Sequence, residues 1–204
     1  MNIEKLSTTA RRLGIFFKVL QKIVCVCAIV MLCVLAALSI ANAVNPNTVI
    51  GTGLNSVNIG YLNIVLTPEN TPSNAAILRY SWIIGIIGAV CAAAIYVALG
   101  YIRKILSPMA EGQPFHPDTA KYIKKLAFIS LIIGIAQNIG TFAETASALD
   151  AFSLDSLVNI GVIESITVNF TLELGFIIVF FVLLLMSYIF SYGAQLQQLS
   201  DETL

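Results

Sequence analysis

Four long apolar runs, each bounded by polar segments, set the pattern of hydrophobic and polar positions along the chain. They cover residues 23–41, 80–102, 126–143 and 174–194, and none of them contains Asp, Glu, Lys, Arg or His. A helix needs roughly 17–25 apolar residues to cross the hydrocarbon of a bilayer. The pattern therefore predicts four membrane-spanning helices.

The flanking residues extend these runs into spans over about 15–42, 78–106, 119–146 and 173–196. Between them lie outer loops at 43–77 and 147–172 and an inner loop at 107–118. We therefore predict a single four-span domain over residues 1–204. The first apolar run is longer than the roughly 7–15 residues of a signal-peptide core, so we expect a retained span.

Both outer loops carry strand-like patterns. In the first loop "VNIGYLNIVL" (residues 57–66) has the composition of a strand, and in the second "SITVNFTL" (165–172) alternates apolar and polar positions. Because isolated hairpins are marginal in water, we expect the two loops to pair. The predicted fold class is an all-α membrane protein, a four-transmembrane-helix bundle with a small extracytoplasmic β-containing cap from the two outer loops.

Composition and charge agree with a membrane location. Charged residues make up 11% of the chain, whereas a soluble domain carries about 25%. Ten of the eleven basic residues precede the first apolar run or lie between the second and third runs, and Arg79 is the exception. With five of the eleven acids on the same side, the inner face carries +5 and the outer face −5. The positive-inside rule then places both termini in the cytoplasm.

A catalytic constellation is not visible in the sequence. His116 stands in a loop with only Glu111 and Asp118 near it along the chain, and there is no phosphate-binding glycine loop. The four cysteines, at positions 25, 27, 33 and 91, all fall within predicted spans. Cysteines in such places usually act as small hydrophobic residues. We therefore expect no enzyme activity, no metal and no cofactor.

The most polar residues inside the spans are Gln137 and Asn138, both in the third span. They are candidates for interhelical hydrogen bonds, each worth about 1 kcal/mol or less. The alternative is that they line a path for a solute. We favour the interhelical contact, since the apolar runs contain no ionisable residue.

The segment "SPMAEGQPFHPDTAKYIKK" (residues 107–125) interrupts the apolar pattern between the second and third spans. Pro108 discourages continuation of the second helix, Gly112 allows a turn, and Pro114 makes that turn rigid. The tripeptide "HPD" (116–118) resembles a helix start, with proline near the first position and an acid in the first turn. We predict that the third helix begins here.

The longer segment "IRKILSPMAEGQPFHPDTAKYIKKLAFISLIIG" (102–134) is similar to the central part of the YoaS-like bacterial membrane proteins, catalogued as domain-of-unknown-function 2975. In that family a basic end of the second span is followed by Glu/Gly-x-Pro-Phe and a lysine-bearing helix start. The residues that match here are Glu111, Gly112, Pro114 and Phe115. The tail "YGAQLQQLSDETL" (192–204) also resembles the polar ending of the family. The outer loops show no comparable match.

The resemblance implies a multi-pass protein of the bacterial plasma (inner) membrane with no assigned activity. Such proteins are often encoded beside a small helix-turn-helix regulator, which suggests by analogy a cytoplasmic protein partner. The inner loop and the tail are the surfaces expected to meet it. The candidate partner contacts are Glu111, Gly112, Pro114, Phe115, Gln195 and Asp201.

The sequence therefore favours a non-enzymatic membrane protein with a regulatory or interaction role, embedded in the lipid bilayer. The alternative is an oligomeric small-solute transporter or channel subunit. The sequence also permits a homo-oligomer, because small residues such as Gly85 and Gly88 allow helices to approach closely. Direct nucleic-acid binding is not expected. Phe115 either packs on the inner helix ends, which we favour, or contacts the partner.

Overall fold

The chain is helical over most of its length in a computed structural model that describes residues 3–45, 56–59, 62–65, 74–113, 115–151 and 172–202. The elements in chain order are α1 (Ile3–Val44), β1 (Ser56–Ile59), β2 (Leu62–Val65), α2 (Asn74–Ala110), α3 (Pro117–Ala151) and α4 (Gly175–Glu202). The four helices contain 42, 37, 35 and 28 residues. About 20 residues suffice to cross the hydrocarbon, so each helix extends beyond it.

All four helices are long and apolar enough to cross a membrane, as the sequence predicted. In their most apolar windows only 6–17% of the residues are buried inside the molecule. Large hydrophobic side chains such as Ile29, Ile132 and Phe181 are therefore exposed. An exposed apolar surface of this extent requires a nonpolar surrounding, which a lipid bilayer supplies. The chain is thus a multi-pass helical membrane protein.

The segment predicted to be the first outer loop contains an antiparallel hairpin. β1 pairs with β2 in the register Ser56 with Val65 and Ile59 with Leu62. The strand-like run predicted at 57–66 therefore folds as two short strands that pair with each other. The predicted strand at 165–172 falls almost entirely on residues 152–171, which lie outside the described residues. A β-containing cap built from both outer loops is accordingly not shown.

The connection between α2 and α3 is shorter than the predicted loop at 107–118. α2 includes Pro108 and ends two residues later at Ala110, so the helix extends four residues beyond the predicted end of the span at 106. The helix closes instead at Gly112, whose φ of 83° lies in the left-handed region that glycine tolerates. The amide of Gly112 donates to the Met109 carbonyl (3.2 Å) and that of Gln113 to the Pro108 carbonyl (2.9 Å). This paired arrangement is a Schellman motif, which satisfies the last carbonyls of α2.

The chain divides into two compact units. The first, called the basic unit here, comprises Met1–Cys27, Cys91–Ile135 and Glu173–Leu204. Its core includes Leu99, Ile123 and Ala127, which are buried. Ser187 of α4 is also buried, and its hydroxyl donates to the Ala120 carbonyl of α3 at 2.8 Å. A Cβ at Gly134 would overlap the Phe176 ring, so glycine is required for close contact between α3 and α4.

The second unit comprises Ala28–Val90 and Ala136–Leu172. Here the indole Nε1 of Trp82 donates to the Ser39 hydroxyl at 2.8 Å, and that hydroxyl donates to the Leu35 carbonyl at 2.9 Å. The Tyr80 hydroxyl donates to Glu144 Oε1 at 3.4 Å. The Trp82–Ser39 and Tyr80–Glu144 bonds link two helices within the unit, and the Ser39–Leu35 bond lies within α1. Such pairing is needed because water is scarce near the hydrocarbon.

Candidate functional site

The basic unit holds the residues that the sequence singled out between the second and third spans. α3 begins at Pro117, which confirms the predicted helix start. His116 caps the helix: its ring Nδ1 accepts from the Asp118 amide at 3.2 Å, and its carbonyl accepts from the Thr119 amide at 2.9 Å. The first amides of a helix have no partner within the helix itself. The single histidine thus has a defined structural contact.

Two charged side chains continue this helix start. Asp118 lies in the first turn of α3, where the helix dipole favours a negative charge. Its Oδ1 accepts from Lys121 Nζ at 3.0 Å, and the exposed side-chain fractions are 46% for Asp118 and 74% for Lys121. An ion pair this exposed contributes little to stability.

Phe115 connects the α2–α3 turn to α4. The centroid of its ring lies 5.6 Å from that of Phe190, with the planes at 43°. A Cβ at Gly193 would come within 2.6 Å of Phe115 Cδ1, so the ring packs directly on the α4 backbone at that glycine. Phe115 nevertheless keeps 40% of its surface exposed. Of the two interpretations of Phe115, the structure shows packing on the helix ends, with one side of the ring still accessible.

The other candidate partner contacts lie in the same two segments. Glu111 and Gly112 are exposed in the α2–α3 turn, and Gln195 is exposed on α4 two residues after Gly193. Asp201 lies in the last turn of α4, and Pro114 is outside the described residues. The contact of Phe115 with Gly193 therefore brings the turn and the final part of α4 together.

A cluster of tyrosines and lysines joins α2 to α3 in the same unit. The rings of Tyr101 and Tyr122 stack with their centroids 5.9 Å apart. Lys104 Nζ lies 5.6 Å from the first centroid and 5.4 Å from the second, and Lys125 Nζ lies 5.6 Å from the Tyr101 centroid. Each cation–π contact contributes about 0.5–1 kcal/mol at exposed positions. The cluster holds two cations close together.

A cleft lies between the N-terminal part of α1 and the C-terminal part of α2, with a volume of about 560 Å³. We call it the basic cleft, because Arg11, Lys18, Arg103 and Lys104 are four of its lining residues. The remaining lining residues are uncharged: Ala10, Gly14, Ile15, Gln21, Gly100, Leu106, Ser107 and Ala110. No carboxylate is among them.

Gln21 fixes the geometry of the basic cleft. Its Nε2 donates to the Tyr96 carbonyl at 3.1 Å, and its Oε1 accepts from Arg103 Nη1 at 2.9 Å. A Cβ at Gly100 would stand 3.4 Å from that same Nε2. The sequence analysis did not single out Gln21, because this residue lies in the polar segment just before the first apolar run. Its spacing from the cations of α1 was the only available signal.

The predicted interhelical residues Gln137 and Asn138 differ in their surroundings. The Gln137 side chain is exposed, and the backbone carbonyl of Gln137 accepts from the Thr141 hydroxyl one turn later at 3.1 Å. Asn138 is half-buried. Among the described residues, Gln21, Ser39, Tyr80 and Ser187 form hydrogen bonds between helices. These four residues can link helices only because their helices are neighbours in the fold. The hydropathy of the sequence does not show which helices are neighbours.

The chemistry available in these segments is electrostatic and apolar contact. No group of three or more His, Cys, Asp or Glu side chains is placed to hold a metal within the part of the chain that the structure describes. Comparisons of the chain with models of protein families, with curated proteins and with solved structures found no match.

Proposed function

We propose that this chain is a non-enzymatic membrane protein of the YoaS-like kind that presents the α2–α3 turn and the end of α4 to a soluble protein partner. The partner that the resemblance suggests is a small helix-turn-helix regulator. The role is then to hold such a regulator at the membrane or to modulate it. The proposed location is the bacterial plasma membrane, with both termini in the cytoplasm.

One observation carries this proposal: Phe115 packs on Phe190 and Gly193 and so joins two separate segments into one surface. We call this the turn–tail surface, consisting of Glu111, Gly112, Phe115 and Gln195. All four are exposed. A partly exposed aromatic ring ringed by polar residues is typical of the centre of a protein–protein contact. Because the ring is already held in place, little conformational entropy is lost when a partner covers it.

The orientation is supported by charge. Ten of the eleven basic residues lie on one side of the predicted spans. Segments rich in lysine and arginine remain on the cytoplasmic side of a membrane. The β1–β2 hairpin then belongs to the opposite, extracytoplasmic side. We propose that it forms part of a β-containing cap there, together with the second outer loop.

The turn–tail surface can be tested by site-specific photocrosslinking in the living host. A photoreactive residue is placed at Gln195 or Glu111, both exposed, and adducts are identified by mass spectrometry. The expected result is an adduct with the same soluble DNA-binding protein from both positions. Leu172 is the matched control, since it is exposed and precedes α4 in the predicted outer loop. It should give no such adduct.

A second variant tests the role of the Phe115 ring. Phe115→Ala should lower the yield of the adduct at Gln195 by about tenfold or more, the loss typical of a central contact. Phe181→Ala is the control, because Phe181 is 62% exposed and belongs to the middle of the fourth apolar run. An adduct that is equally abundant from Leu172, or unaffected by Phe115→Ala, would refute the turn–tail surface. Solute flux through reconstituted protein, without adducts, would support the transporter alternative.

A further inference from the structure

The basic cleft concentrates positive charge that the rest of the described structure does not balance. Arg11, Lys18, Arg103 and Lys104 line it, and the described residues of the lining include no carboxylate. The described ion pair of the chain, Lys121 with Asp118, lies on α3 and involves none of the four. Like charges at close range repel one another most where water is partly excluded. An anion in the cleft would relieve this repulsion.

Arg103 is prepared to receive such an anion. One of its guanidinium nitrogens donates to Gln21 Oε1 at 2.9 Å, and Gln21 is itself fixed by the Tyr96 carbonyl. Arginine has five N–H donors in a rigid planar fork, so several remain for a ligand. A guanidinium held by a neutral amide keeps its full charge. A planar fork of this kind matches the oxygens of a phosphate group.

Lys104 is held by the rings on its other side. Its Nζ lies 5.6 Å and 5.4 Å from the centroids of Tyr101 and Tyr122. Aromatic rings attract a cation without neutralising it, and Lys104 is also one of the residues that line the basic cleft. Two cations from consecutive positions of α2 are therefore positioned by neutral partners. Such preorganisation lowers the entropy lost on binding.

The position of the basic cleft along the helices agrees with the depth of lipid headgroups. Lys18 and Gln21 stand just before the apolar run at 23–41, and Arg103 and Lys104 directly follow the run at 80–102. The cleft thus lies where the apolar parts of α1 and α2 end. Basic pockets between transmembrane helices at this level are typical binding sites for anionic lipid headgroups. A volume of about 560 Å³ is also ample for a small phosphate ester.

We propose that the basic cleft is a binding site for a phosphate group, supplied either by the headgroup of an anionic phospholipid or by a soluble phosphate compound. Arg103 and Lys104 contact the phosphate oxygens from α2, and Arg11 and Lys18 close the cleft from α1. The site is separate from the turn–tail surface, which shares none of its residues. Failure of either proposal therefore leaves the other standing.

The test compares two double variants that remove the same charge from the same helix. Arg11→Gln with Lys18→Gln removes two cations that line the basic cleft. Arg12→Gln with Lys22→Gln removes two exposed cations of α1 that do not line it. All four side chains are exposed, so both variants should fold. If the protein is attracted to phosphate only by its overall charge, the two variants should lose the same affinity. If the basic cleft is a defined site, only the Arg11/Lys18 variant should lose affinity.

In the lipid arm, full-length protein is reconstituted into nanodiscs of equal parts phosphatidylglycerol and phosphatidylcholine and then transferred to detergent. Native mass spectrometry counts the retained phosphatidylglycerol. Wild type and the Arg12/Lys22 variant should each keep one such lipid. The Arg11/Lys18 variant should bind it on the order of 30-fold more weakly, since each lost cation near the surface costs about fivefold.

In the soluble arm, inorganic phosphate is titrated at constant ionic strength into protein in nanodiscs of phosphatidylcholine alone, and thermal unfolding is followed. Stabilisation that is absent from the Arg11/Lys18 variant identifies a soluble phosphate compound as the ligand. Selective lipid retention without this stabilisation identifies the phospholipid. Equal lipid retention by both double variants, together with equal responses to phosphate, would overturn the proposal.

Discussion

Two backbone amides at the start of α3 are satisfied by His116, the single histidine of the chain. The ring Nδ1 accepts from the Asp118 amide, which is possible only while that nitrogen carries no proton. Pro117, at the first helical position, has no amide hydrogen to satisfy. A histidine that looks like a candidate for chemistry in the sequence therefore has its ring engaged by the backbone.

Substitution of His116 should test this capping role. His116→Ala should lower the free energy of unfolding by about 1 kcal/mol, because the Asp118 amide loses its acceptor. His116→Asn should retain most of the stability, since asparagine is among the best capping residues. The measurement is thermal unfolding in detergent micelles. Equal destabilisation by the two variants would show that the imidazole contributes something other than the cap.

At the scale of elements, α3 and α4 make close contact through small and aromatic residues. Phe176 of α4 lies over Gly134 of α3, and the rings of Phe128 and Phe180 stand 5.5 Å apart in an edge-to-face arrangement. The Ser187 hydroxyl adds a hydrogen bond to the Ala120 carbonyl. In a membrane, where hydrophobic surface gains little by leaving lipid, such close contacts supply most of the helix association.

Gly134→Ala should therefore destabilise the contact of α3 with α4. The new methyl group would overlap the Phe176 ring, and overpacking of this kind costs about 1–3 kcal/mol. Gly14→Ala is the control, because no atom lies within 4 Å of a Cβ at that helical position. It should be neutral or stabilising by up to about 1 kcal/mol, as alanine favours helix. Comparable loss of thermal stability in both variants would argue against a close α3–α4 contact.

The elements themselves were largely predictable, while their contacts were not. The spans follow from apolar runs free of charge, and the start of α3 follows from the tripeptide at 116–118. Pro108 is tolerated in α2 because it lies in the final turn, two residues before the helix ends at Ala110, and its carbonyl accepts from the Gln113 amide in the Schellman motif. The link from Gln21 to Arg103 depends on which helices are neighbours. Hydropathy carries no information on that.

At the scale of the whole molecule, the uneven distribution of charge predicts the orientation of the chain in the membrane. The side with Arg103 and Lys104 carries ten of the eleven basic residues. Moving such a cluster across a membrane is unfavourable, so it is retained on the cytoplasmic side. The turn–tail surface and the basic cleft would then both face the cytoplasm or its headgroup layer.

Cysteine labelling can measure this orientation. The native cysteines at 25, 27, 33 and 91 are first replaced by alanine, and a single cysteine is introduced at Gln195 or Leu172, both exposed. With an impermeant maleimide on intact spheroplasts, the cysteine at Leu172 should react and that at Gln195 should react only after lysis. The reverse pattern would place the termini outside and remove the basis for a cytoplasmic partner.

The short connection between α2 and α3 has a consequence for biosynthesis. Ala110 and Pro117 are separated by only six residues, and the Gly112 motif supplies local hydrogen bonds within the turn. Such a turn can form as soon as its residues leave the ribosome. α2 and α3 would then enter the translocon as a preformed helical hairpin. The five cations near the turn of this hairpin would remain on the cytoplasmic side, where the ribosome is. The direction in which this hairpin inserts would then govern how α4 is threaded.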